Sequence, residues 1–313
     1  MFKYTTQQAT FYSLLIAVLF SVCIILAMIL KGKSEKIRRI PIVVVGAIII
    51  FLEVIKQIYN ALGYDTMHVL AIFTNTRDEF SYYSLPFHFC SLFSLLVILS
   101  LFSRGKARKI FESIAYVCSA IIALTMFFLP DPVWGSTINS LINGEIDYLS
   151  HTVIYHLMVL SYFSIETALC IAKYDEKNWW HGLLIFPFYS AIGIPAARIF
   201  NENYCSFLEP IGDGNVFGPV TKLGPFWYSV LFVFLGTIVC GVFYVLVMLF
   251  RKSYKYFDEQ TAKVGFLIFA SCNVLIFVIS LFTNIISKIF IPLELIGVLT
   301  TLLISFIIKK KRI

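Results

Sequence analysis

Apolar positions fall in nine long runs, each close to the roughly 20 residues a helix needs to cross a bilayer. They predict helices near 11–30, 41–59, 85–103, 110–130, 151–172, 182–200, 226–250, 264–286 and 289–308. Only Ser287 and Lys288 separate the last two, which therefore form a tight hairpin or one re-entrant unit. The expected fold is all-α: a polytopic transmembrane bundle of about nine helices. Residues 1–250 supply a seven-helix bundle, and 251–313 add a basic loop, the C-terminal hairpin and a basic tail.

Charge placement sets an orientation. Of the 25 Lys and Arg residues, all but Lys3, Lys56, Arg77, Arg198, Lys222 and Lys288 cluster in alternate inter-helix segments. Positive charge is retained on the cytoplasmic side, which puts the N-terminus outside and the C-terminus inside. The same sorting accounts for the net charge of +7 without nucleic acid, because the basic runs are short and flank membrane segments. A hydrophobic share of 59%, a charged share of 14% and a mean hydropathy of +0.86 agree with a multi-pass protein of the cell membrane. The first apolar run is too long for a cleaved signal, and its strongest positive cluster follows it. Six of the seven cysteines lie in apolar helices and Cys205 stands in an outer loop, so no disulfide framework is expected. No Cys-x-x-Cys spacing suggests a metal, and no motif calls for a soluble cofactor or ATP.

The longer loops, 60–84, 131–150 and 201–225, fall outside and hold the turn formers, such as Pro130-Asp131-Pro132, Asn143-Gly144 and Gly212-Asp213-Gly214. Ionisable groups inside the helices gather at the same end. Glu53 and Lys56 close the second helix, His88 and Cys90 open the third, His151 and His156 open the fifth, and Arg198 closes the sixth. At 1.5 Å per residue these lie within roughly 10 Å of the outer interface. Charges in a bilayer are costly and usually face a partner or a wet cavity. Simpler explanations compete. Lys56 can snorkel and pair with Glu53, Arg198 can reach lipid phosphates, Glu166 can pair near the inner edge, and Cys90 can serve as a small hydrophobe.

The string Leu85-Pro86-Phe87-His88-Phe89-Cys90-Ser91 resembles the Leu-Pro-Leu-His-Leu-Cys signature of the YwaF-like integral-membrane family. Glu53, Pro130-Asp131, His156, Asn203-Tyr204 with Pro210, and Leu223-Gly224-Pro225-Phe226-Trp227-Tyr228 follow that family's order over residues 10–250. The family is similar to a transmembrane acyltransferase family that remodels ether phospholipids through a catalytic cysteine. There the cysteine directly precedes the histidine, whereas here Phe87 holds that place and Cys90 comes later, one helical turn from it.

The resemblance implies lipid acyl transfer. Cys90 is the expected nucleophile, with His156, and after it His88, as its base. Asn203 or Tyr204 is a candidate oxyanion donor, Arg198 a candidate phosphate anchor, and Glu53 a further substrate-binding residue. Membrane phospholipids are the expected partners, with no metal, no cofactor and no nucleic acid; oligomeric state is left open. The alternative is an outward-facing transporter or receptor without covalent chemistry, with Pro187 and Pro195 breaking the sixth helix.

Overall fold

A computed structural model describes residues 32–64, 80–128, 151–169, 180–204 and 224–254, with positions 19, 22, 26, 29, 30, 171, 207 and 208. Most of the first expected helix, the turn formers of the outer loops, Cys205 and the C-terminal hairpin lie outside the described residues. Among the described residues the structure is all-helical, with no strand. Its elements are α1 (Glu35–Ala61), a 3-10 turn (Tyr82–Ser84), α2 (Phe89–Phe102), α3 (Gly105–Phe128), α4 (His151–Leu169), α5 (His181–Phe200) and α6 (Pro225–Tyr254). Four stretches are long and apolar enough to cross a membrane: α1, Tyr82–Phe102, α5, and Pro225–Leu246 within α6.

Several boundaries differ from expectation for local reasons. The helix expected from 41 begins at Glu35. The charges of that segment are helical rather than loop, with Glu35 in the first turn bonded to Arg39 one turn on at 3.0 Å. The helix expected from 85 begins at Phe89. Pro86 restricts Leu85 to extended backbone (φ −60°, ψ 156°), and His88 is extended as well. Pro187 and Pro195 do not break α5, which runs unbroken from His181 to Phe200. It is supported by α3 and α6 on its flanks, as neighbouring helices allow for proline inside a membrane. Left-handed backbone at Gly63 (φ 71°) follows the end of α1, and Asn201 (φ 53°) caps α5.

α3 is central and touches α2, α4, α5 and α6, while α1 packs on α2 and α4. Only Ser103 and Arg104 separate α2 from α3, which makes them an antiparallel hairpin. α5 and α6 approach each other closely. A Cβ at Gly182 would come within 2.4 Å of Tyr244, and one at Gly236 within 2.3 Å of Phe186. Small residues are what let transmembrane helices meet this closely. Outward faces remain apolar, with Phe51 and Val44 of α1 and Phe234 and Val242 of α6 all exposed.

Polar contacts lock the two ends of this arrangement. At the basic end Glu112 of α3 joins Arg39 of α1 and Arg108 of its own helix, the latter at 2.8 Å. Arg38 donates to the Leu169 carbonyl at the end of α4, where helix carbonyls lack intrahelical donors. At the far end His151 of α4 bonds the Leu52 carbonyl of α1 at 3.0 Å. α1 and α4 are therefore antiparallel and pinned at both ends.

Candidate functional site

The first turn of α2 and the second of α4 meet at that far end. Cys90 Sγ lies 3.3 Å from His156 Nε2. His156 Nδ1 lies 2.7 Å from the Thr152 carbonyl of its own helix. A neutral imidazole carries one N–H, and a carbonyl can only accept, so the proton sits on Nδ1. The Nε2 lone pair is then turned to the thiol. Cys90 is partly buried and in no disulfide, whereas His156 is buried.

Tyr155, the neighbour of His156, braces the same contact. Its buried hydroxyl donates to the Cys90 carbonyl at 2.6 Å and takes a hydrogen bond from Ser94 at 2.6 Å. One turn of α4 thus holds both the main chain and the side chain of Cys90. Ser91, the next residue, donates to Glu53 Oε1 at 3.3 Å, and Gln57 donates to the same oxygen at 2.9 Å. Lys56 Nζ stands 3.9 Å from it. Glu53 therefore joins the site through Ser91, not by touching the thiol.

The segment leading into α2 is irregular backbone next to a membrane helix, and its carbonyls must find donors. Four side chains, from α1, α5 and the loop after α5, supply them. Asn60 donates to Ser81, Gln57 to Ser84 and Tyr189 to Phe87, at 2.9, 2.9 and 2.7 Å, and Tyr204 donates to Tyr82. His88 belongs to this brace and not to the thiol. Its Nε2 is 3.0 Å from the Tyr83 carbonyl, and its ring meets Tyr83 and Tyr204 edge-on. Of the two histidines named for the base, His156 is the one the fold brings to Cys90.

The outer-loop candidates have other partners. Asn203 Oδ1 accepts from the Leu208 amide at 3.0 Å. Tyr204 is buried, and burial together with Glu202 pushes its phenol up to about 12, so it stays a protonated donor to Tyr82. Arg198 is exposed in the last turn of α5. It suits the negative end of that helix and makes no ion pair among the described residues. Glu166 is fully buried in the last turn of α4, three residues before Leu169. Tyr155, Ser91, Ser94 and Gln57 were not singled out from sequence. Only the spacing of Tyr155 beside His156 and Ser91 beside Cys90 hinted at them. Among the described residues no cluster of His, Cys, Asp or Glu is placed to hold a metal ion.

No curated protein and no solved structure matches this chain. A family model does, over residues 3–247, a span that contains all six described helices except the last turns of α6 and includes both members of the thiol–imidazole pair. The chain is a membrane protein of the TMEM164 family.

Proposed function

We propose that this protein is a multi-pass lipid acyltransferase of the cell membrane, working through Cys90 and His156 near the outer leaflet. The observation that carries this reading is the 3.3 Å contact between the thiol and an imidazole nitrogen whose tautomer is set by the Thr152 carbonyl. His156 takes the thiol proton as the sulfur attacks the ester carbonyl carbon of a phospholipid. The tetrahedral intermediate collapses, and the C–O bond to the glycerol oxygen breaks. His156 returns the proton to that oxygen, releasing a lysophospholipid and leaving an acyl thioester on Cys90. A second lipid hydroxyl then gives its proton to His156 and attacks the thioester, and the sulfur leaves and is reprotonated. Atoms and charge balance without ATP or another carrier.

The oxyanion of each step needs a donor. Helix starts present main-chain amides that have no intrahelical acceptor, and α2 begins without a side-chain cap. The Phe89 and Ser91 amides fit that role better than Asn203 or Tyr204, whose polar atoms serve the loop. Arg198 keeps its assignment as the headgroup-phosphate anchor. The likeness to the YwaF-like and ether-phospholipid acyltransferase families supports the same chemistry, and positive charge at the opposite end supports an outward site.

The test is lipidomic. Cells expressing the wild-type chain are expected to shift the acyl-chain distribution of their phospholipids, and cells expressing Cys90→Ala are not. An equal shift with both sinks the thiol mechanism. Uptake of a solute into proteoliposomes, lost in Glu53→Gln and kept in Cys90→Ala, argues instead for transport.

A further inference from the structure

The end of the bundle away from the thiol carries a groove of about 480 Å³ between the first turns of α1 and α3. Its rim holds three cations, Lys36, Arg39 and Arg108, and one acid, Glu35. Its wall climbs α1 through Ile40 and Val44, both of which are exposed. Glu112 fixes the two guanidinium groups from below. Arg108 commits only Nε to that carboxylate. The Lys36 ammonium makes no ion pair among the described residues.

We propose that this groove binds one anionic glycerophospholipid, its phosphate between Lys36 and Arg108 and an acyl chain along Ile40 and Val44. The charges and the apolar wall together select the ligand. A free anion matches the rim but leaves the wall uncovered. A zwitterionic lipid covers the wall but brings its own cation toward a rim that stays net positive after Glu35 and Glu112 are counted. An anionic lipid satisfies both, and a guanidinium held in place by a carboxylate beneath it is a preorganised phosphate donor. Basic pockets between transmembrane helices hold acidic headgroups in this way. The groove lies roughly 20 Å from the thiol along α1, counting from Arg39 to Glu53, so this site does not depend on acyl-transfer chemistry.

The full chain, purified in detergent, is titrated with phosphatidylglycerol or phosphatidylcholine, and retained lipid is counted by native mass spectrometry. Phosphatidylglycerol is expected to be retained roughly tenfold better. The double variant Lys36→Gln, Arg108→Gln should lower its retention to the phosphatidylcholine level, with Arg39 left in place to keep Glu112 paired. Cys90→Ala should bind like wild type, and millimolar inorganic phosphate should not compete. Equal retention of the two lipids, or undiminished phosphatidylglycerol in the double variant, overturns the proposal. Val44→Trp fills the groove without touching charge and stands independently of how the double variant folds. It should also displace the lipid, and full retention there overturns the proposal as well.

Discussion

Cys90 and His156 stand 66 positions apart in the chain, and their contact is made by rotamers and by the packing of α2 on its neighbours. His156→Ala removes the imidazole that meets the thiol. In a chain with Cys90 as its one cysteine, it should slow alkylation of Cys90 about tenfold or more near neutral pH. Thr152→Ala should not slow it, because the group that orients His156 is a main-chain carbonyl that any residue supplies. Tyr155→Phe leaves the Cys90 carbonyl and the Ser94 hydroxyl short of a buried partner. It should cost about 1–3 kcal/mol, seen as a lower melting temperature with alkylation retained. The thiol and two candidate bases were legible in the sequence, because both histidines lie within a turn or so of a helix start at similar depth. Which of them turns inward was not legible. It depends on Tyr83, whose carbonyl holds the His88 ring, and on Tyr204, which meets that ring from a loop far along the chain.

Helices were the most legible elements, since a bilayer forces apolar length into the sequence. Their ends were less so. The charges of Arg38 and Arg39 read as loop because the Leu169 carbonyl and Glu112, which they meet, belong to other helices. The strip before α2 read as helix because its residues are apolar, while its irregular backbone is held by donors from α1, α5 and the loop after α5. Tyr189→Phe removes one such donor from the Phe87 carbonyl. It should lower activity more than it lowers the melting temperature, because the strip sets where Cys90 begins its helix. The α5–α6 contact tolerates less. Gly182→Val drives side-chain atoms into Tyr244 and should cost at least 1–3 kcal/mol, read as lost thermal stability or lost expression.

At the scale of the molecule, one end is basic and ion-paired and the other holds the thiol. With the basic end cytoplasmic, an impermeant thiol reagent applied outside intact cells should label Tyr83→Cys and spare Lys106→Cys, in a background without native cysteines. Both positions are exposed, so the reverse labelling pattern inverts the assignment. α1 carries polar anchors at both of its ends, Arg38 and Arg39 below and Glu53, Gln57 and Asn60 above, on one continuous helix. Such a strut cannot shorten. In a bilayer that is too thin or too thick, the lipid ester plane must move relative to Cys90, or the bundle must tilt to compensate. Turnover in vesicles built from short-, medium- and long-tailed lecithins should therefore peak at one membrane thickness, with the helical strut acting as a fixed ruler.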